Sequence, residues 1–231
     1  RGSGSSCDYY GGSERGQAVT RAKSPATSKG GRRELRIIGG RWRSRKLQFL
    51  DLPGLRPTPD RVRETLFNWL QLELAGAQVL DLFAGSGAMG FEALSRGAAG
   101  LTLLERDAQQ AACLREQAVK LEAVNCQILS LDCQRWLQDA ALPTGGYGLI
   151  FLDPPFHQNL PNKILQQLQV RGWLLQTRWV YVETEQGLSD LNVPDCLELH
   201  RQTKAGLVNA YLFRCEPSAC ADADEPEHDT H

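Results

Sequence analysis

The sequence has one methionine, Met89, and four histidines, which stand apart from its seven cysteines. Those cysteines (7, 113, 126, 133, 196, 215 and 220) are odd in number and irregular in spacing, and no pair of C-x-x-C units occurs. A disulfide framework and a zinc site are therefore not expected; reduced thiols in a cytoplasmic protein are. Only the Cys215–Cys220 spacing, beside an acidic tail, hints at a metal, and no metal site is expected. No apolar run approaches the roughly 20 residues that span a bilayer, and no signal-peptide pattern is visible. The chain opens on Arg1, so its first residue is not expected to be the initiation site.

A formal net charge of −1 hides a strong asymmetry. Residues 1–64 carry 15 Lys/Arg against 6 Asp/Glu, a net +9; residues 65–231 carry 11 against 21, a net −10. A basic front on an acidic body points to a polyanionic partner met by the front. Residues 1–33 are rich in Gly, Ser, Arg and Lys with no apolar period, so they are expected as a disordered basic arm. Residues 216–231 are expected as a disordered acidic tail.

Between these ends the pattern alternates. "ELRIIGG" and "RKLQFL" flank Arg41–Ser44 and predict a short hairpin. "TPDRVRETLFNWLQLEL" predicts a helix, with Thr58 as cap, Pro59 in the first turn and apolar residues at helical spacing. Hairpin and helix make an extension over 34–76. Strands are predicted at 78–83, 100–105, 125–131, 148–152 and 179–184, and helices at 88–95, 108–121 and 160–169. Uniformly apolar strands alternating with helices predict an α/β domain over 77–215, a doubly wound, mostly parallel sheet covered on both faces. The runs 196–203 and 208–215 are joined by only four residues, which permits an antiparallel pair but no parallel crossover.

Ligands on such sheets bind beyond the carboxyl ends of the strands. After the first strand comes "DLFAGSGAMG", whose Gly85-Ser86-Gly87-Ala-Met-Gly90 reads as G-x-G-x-x-G. Glu105, twenty residues past Gly85, can accept from both hydroxyls of a ribose. These features suit NAD and S-adenosylmethionine alike. Asp81 separates them: a carboxylate would repel a pyrophosphate but attract the ammonium of a methionine moiety. Asp132, after the third strand, can accept from an adenine amino group or simply cap a helix.

The fourth strand runs into Asp153-Pro154-Pro155-Phe156. Two prolines remove two N–H donors, so the corner is rich in acceptors. The Asp153 carboxylate and the Pro154 carbonyl can accept both hydrogens of a planar amine and restore its lone pair, while Phe156 offers a stacking face. Hydride transfer has no need of this arrangement, whereas amine methylation does.

Taken together, "RIIGGRWRSRKL", "RPTPDRVRETLFNWL", "VLDLFAGSGAMGFEALSRGA" and "FLDPPF" resemble the RsmD family, over about residues 35–215. The family belongs to the class I, Rossmann-like methyltransferases. The resemblance implies S-adenosylmethionine as cofactor and methylation of the 2-amino group of a guanine in small-subunit (16S) ribosomal RNA, within a small-subunit particle. It implies that Asp81, Phe83, Gly85, Ser86, Gly87, Glu105 and Asp132 hold the cofactor, that Asp153, Pro154 and Phe156 hold the guanine, and that 58–68 closes over the cofactor. A monomer is expected. DNA adenine or cytosine methylation and a non-catalytic RNA-binding role stay open as alternatives.

Arg41, Arg43, Arg45 and Lys46 surround Trp42 in the predicted hairpin, a basic cluster with an interleaved aromatic suited to phosphate contact and stacking on RNA. Arg61 and Arg63 can meet a carboxylate or a phosphate, or pair with Asp60 and Glu64.

Overall fold

The computed structural model describes residues 31–55, 57–156 and 158–216. The predicted disordered arm, apart from Gly31, Arg32 and Arg33, and the predicted tail beyond Glu216 lie outside them. Arg32 and Arg33 depart from the expectation: they open strand β1 (Arg32–Arg36), which pairs antiparallel with β2 (Lys46–Leu50).

A seven-stranded sheet forms the centre. Its strands are β3 (Gln78–Asp81), β4 (Gly100–Leu104), β5 (Cys126–Leu129), β6 (Leu149–Leu152), β7 (Trp179–Thr184), β8 (Leu197–Ala205) and β9 (Val208–Cys215). Their spatial order is β5-β4-β3-β6-β7-β9-β8. All pairs from β5 to β7 are parallel, and β9 runs antiparallel to both β7 and β8. The strand order reverses between β3 and β6, which are neighbours; this is the switch point of a doubly wound sheet. The β8–β9 connection is tighter than expected, a two-residue turn whose Gly206 has φ +62.

Helices α1 (Asp60–Trp69), α2 (Ala88–Ser95), α3 (Ala108–Lys120), α4 (Cys133–Asp139) and α5 (Leu160–Val170) cover the sheet. The pattern of apolar residues anticipates four of them. It misses α4, seven residues whose N-cap is Asp132, with its side chain accepting from the Arg135 backbone N–H. Helix α1 is shorter than the apolar period suggests and is capped at Pro59, without a side-chain capping bond.

Strand alternation divides the core. Val79, Leu149, Phe151 and Tyr181 face one cluster, together with Ile37, Trp42 and Leu47 of the hairpin and Val62, Leu66 and Phe67 of α1. Leu80, Ile150, Leu152, Val180 and Val182 face the other, with Ile164, Leu165 and Leu168 of α5. Hairpin and α1 thus complete one wall of the sheet's own core. Buried polar side chains of α2 and α3 fasten them. Glu92 accepts from the backbone N–H groups of Ile38 (2.7 Å) and Gly39 (2.8 Å). Ser95 accepts from Trp42 N–H, Gln117 from Gln48 N–H and Gln110 from Leu50 N–H. Each satisfies an edge group that would otherwise be buried at a cost of about 1–3 kcal/mol.

Among the described residues no helix is long and apolar enough to cross a membrane, and no group of three or more His, Cys, Asp or Glu could hold a metal. Cys113, Cys126, Cys133 and Cys215 are free thiols, as expected, but Cys196 is disulfide-bonded, which the irregular spacing did not foretell.

Candidate active site

Odd-numbered positions of β3, β6 and β7 share the face that α1 and the hairpin cover. At the carboxyl ends of these strands the apolar series gives way to acids. Asp81 ends β3, Asp153 follows β6, and Glu183 lies near the end of β7. The register pairs Asp81 with Phe151 and Leu152 with Val182, so Asp153 and Glu183 stand side by side and Asp81 stands one strand away. Three carboxyls therefore crowd one face of the switch-point crevice.

Burial sets their electrostatics. It raises Asp81 to about 7, although the Phe83 backbone N–H (3.3 Å) pulls the other way. Asp153 is raised well above the carboxylate range, first by burial and then by the charges of Glu183 and Asp81. Burial also raises Glu183, against the pull of two hydroxyl donors. Those donors are Thr58 and Tyr181, whose hydroxyls both reach Glu183 Oε2 at 3.0 Å. Thr58 Oγ1 also lies 3.5 Å from Asp153 Oδ2. Thr58 was expected to cap α1; instead its side chain turns inward to the acids, which compete successfully for its single proton.

The glycine loop leads from β3 into α2. Gly85 and Gly87 have φ +51 and +76, a left-handed conformation that L side chains rarely adopt. At Gly85 a Cβ would rest in ordinary van der Waals contact with Leu55 and the Phe83 carbonyl, both at 3.8 Å. At Gly90 a Cβ would meet Leu103 at 2.5 Å, so this third glycine serves the packing of α2 on β4. Glu105 accepts from Gly85 N–H at 3.0 Å and from Asp107 N–H at 2.8 Å, one bond on each carboxylate oxygen. Each oxygen keeps a second lone pair, enough for two hydroxyl donors. Burial raises Glu105, and these N–H groups oppose the shift. Gln110 donates to Gly85 carbonyl at 2.6 Å while accepting from Leu50, so it ties the loop to the hairpin.

The structure brings together Asp81, Phe83, Gly85, Ser86, Gly87 and Glu105 on one side and Asp153, Pro154 and Phe156 on the other. Pro154 is buried, and Phe156 and Phe83 are half-buried. Asp132 is exposed beyond β5 and spends one oxygen on its helix cap. The sequence reading missed Glu183, Tyr181 and Gln110, and named Thr58 only as a helix cap and as the start of the segment expected to close over the cofactor. A lone carboxylate inside the apolar run "WVYVET" was the available signal for Glu183.

The basic cluster is placed differently from the expectation. Trp42 is only 6% exposed and belongs to the core, with the Arg41 guanidinium 4.1 Å above its ring. It is a packing residue and not an exposed face for stacking on RNA. Trp42 N–H meets Ser95, the last residue of α2, and Arg45 donates to the Lys120 carbonyl, at the end of α3. Both helices begin at the crevice end, so Arg41–Lys46 lies at the opposite end of the sheet, about 12 Å away along the eight residues of α2. Lys46 is paired with Glu34 at 2.7 Å. Arg63 is fully buried against Asp60 (2.6 Å), the Arg36 carbonyl (3.0 Å) and Glu92, so its reading as a phosphate ligand is excluded in favour of the salt bridge. Arg61 is exposed on the first turn of α1.

Known proteins resemble this chain in sequence and in fold. The family described as conserved hypothetical protein 95 matches residues 35–214. Ribosomal RNA small subunit methyltransferase D of Escherichia coli K12 is 44% identical over 191 residues, covering 83% of this chain and 95% of the relative. The protein of the same name from Haemophilus influenzae is 41% identical over 186 residues, covering 78% and 94%. Among solved structures, the Escherichia coli protein yhhF superposes with a TM-score of 0.73 at 43% identity, covering 80% of this chain and 99% of that one.

Proposed function

We infer the reaction from one premise, that the chain belongs to the family described as conserved hypothetical protein 95, that of the RsmD ribosomal RNA methyltransferases. The protein is an enzyme that methylates small-subunit ribosomal RNA, and the acceptor we propose is the 2-amino group of one guanine within a small-subunit particle. The observation that carries this reading is the placement of Asp81 and Asp153 on one face of two adjacent strand ends.

The residues present fit S-adenosylmethionine. Asp81 is buried among backbone N–H groups and can take an ammonium; Gly85 puts no side chain over the loop; Glu105 keeps two lone pairs for ribose hydroxyls. Bound there, the cofactor supplies an electrophilic methyl group. The chain does the rest. Asp153 and the Pro154 carbonyl accept the two amine hydrogens and turn the nitrogen lone pair out of conjugation. Phe156 supports the base, which has to leave any stack to reach this corner. The carboxyls of Asp81, Asp153 and Glu183 stabilise positive charge on the reacting groups.

The test is methylation of undermodified small subunits with labelled cofactor, followed by mass mapping of the nucleotides. One N2-methylguanine in the RNA is expected. Label in duplex DNA instead, or in none of the substrates, overturns the proposal.

A further inference from the structure

We propose that Thr58 and Glu183 form, behind Asp153, the relay that takes up the proton released by the methylated amine. The inference rests on the reaction proposed above and concerns the same crevice.

The geometry points in one direction. Thr58 has one hydroxyl proton, and Glu183 Oε2 at 3.0 Å holds it; Asp153 Oδ2 at 3.5 Å lies beyond the length of a formed O–H···O bond. The Thr58 oxygen therefore has its hydrogen aimed at Glu183 and a lone pair open toward Asp153. Tyr181 donates a second hydroxyl to the same Glu183 oxygen. Two donors on one oxygen favour the charged form of Glu183. Asp153 itself is half-buried, and the base held against it covers its open side. Behind it the groups are shut from water: Thr58 and Glu183 are each 4% exposed and Tyr181 is fully buried. While the base is in place, a proton on Asp153 has no solvent acceptor on that side. Aligned hydroxyl and carboxylate groups are what remains. The other charged group facing Asp153 is Asp81, an acid that disfavours a second negative charge.

The balance is simple. Methylation of a primary amine forms one N–C bond as the C–S bond breaks, with that bond's electron pair leaving on sulfur. The nitrogen then carries one proton too many. Asp153 accepts it, Thr58 takes it from Asp153 while giving its own hydroxyl proton to Glu183, and Asp153 returns to the carboxylate. Glu183 ends protonated, and once the methylated base has left, the proton returns through Thr58 to Asp153, whose open side meets solvent. Thr58 and Glu183 act through Asp153 and are positioning residues.

The test uses the full chain with Thr58→Val, Thr58→Ser and Glu183→Gln. Its first readout needs no substrate: infrared titration of the buried carboxyls in the free protein. Wild type retains a carboxyl proton well above the ordinary carboxylate range, and Glu183→Gln lets Asp153 ionise at lower pH. The second readout is the pH dependence of single-turnover methylation. Thr58→Val slows turnover about tenfold or more, within the 10²–10⁴ that positioned proton transfer contributes, and shifts the pH profile. Thr58→Ser, which keeps the hydroxyl, restores both. A wild-type rate and profile in Thr58→Val overturns the relay, as does a Thr58→Ser variant as slow as Thr58→Val, which would mark a packing role. If wild type methylates no ribosomal RNA, the proposed reaction falls, while the titrations still decide whether the pair shares a proton.

Discussion

Asp81 and Asp153 sit two residues apart in register on the same face of neighbouring strands, since Asp81 pairs with Phe151. Burial raises Asp81 to about 7, so in the free protein near neutral pH it is about half protonated. An ammonium that pairs with it has to displace that proton.

Cofactor affinity therefore rises with pH through about 7. Below that value, affinity falls by up to about tenfold per pH unit as Asp81 takes up its proton. Calorimetry in buffers of different ionisation enthalpy should show a fraction of a proton released on binding at neutral pH. Asp81→Asn should bind about 10- to 100-fold more weakly at pH 8, the worth of a charge-assisted hydrogen bond, and lose the pH dependence. The free protein gives the opposite trend in stability. The folded chain holds one proton more than the unfolded chain between about pH 4 and 7, so Asp81 lowers stability as pH rises through that window, and Asp81→Asn removes this slope.

Asp153→Ala separates chemistry from cofactor binding. Asp153 faces Thr58 and Glu183, whereas the glycine loop and Glu105 lie across the crevice. Turnover should fall by about 10² or more, with cofactor affinity within about threefold of wild type by the RT ln K scale. Equal losses in both would transfer Asp153 to the cofactor site.

The difference between these two acids was partly legible from sequence. Strand–loop order alone placed Asp81, Glu105, Asp132 and Asp153 at successive strand ends, because a doubly wound sheet aligns its carboxyl ends by construction. The helical apolar patterns also placed α2, α3 and α5 within a residue or so. What the sequence could not show depended on long-range choices. Thr58 carries the signature of a helix cap, and only the buried acids 95 and 125 residues later redirect it. Trp42 between arginines looks like a nucleic-acid contact until the hairpin folds against α2 and encloses it. Helix α4 is too short to develop a period, and only its Asp132 cap marks it.

Glu92 illustrates another long-range contact, and removing it should loosen the hairpin. Its carboxylate is fully buried, binds Arg96 at 2.7 Å and lies 3.7 Å from Arg63, besides holding the Ile38 and Gly39 amides. Glu92→Ala removes one of the two carboxylates beside the buried Arg63 guanidinium and leaves the Ile38 and Gly39 amides without their acceptor, at a cost of about 3–5 kcal/mol. Denaturant unfolding should register this loss. Hydrogen exchange should show the Ile38 and Gly39 amides opening first, ahead of those in β3 and β6.

Gly90→Ala tests the third glycine of the loop motif. Its Cβ would meet Leu103 at 2.5 Å and Leu101 at 2.9 Å, in the packed layer between α2 and β4. Overpacking of this kind costs about 1–3 kcal/mol. The melting temperature should drop while the folded fraction keeps wild-type cofactor affinity, because the added Cβ meets the sheet and the Gly90 backbone N–H that faces Asp81 is kept. Weakened binding at full folding would mean that Gly90 borders the cofactor.

The hairpin arginines and Trp42 should come apart experimentally. Arg43 is exposed, and Trp42 is packed into the core beneath Arg41. If the basic turn is an RNA footprint remote from the chemistry, Arg43→Gln weakens binding to the particle and reduces the slope of log K against log salt by about 1. Its turnover at saturating substrate stays at the wild-type level, because the reacting groups lie at the other end of the sheet. Trp42→Ala should instead destabilise the fold by about 3–5 kcal/mol, with any loss of RNA binding following the unfolded fraction. A salt slope unchanged in Arg43→Gln would remove the turn from the RNA interface and leave the exposed first turn of α1, with Arg61, as the basic surface beside the crevice.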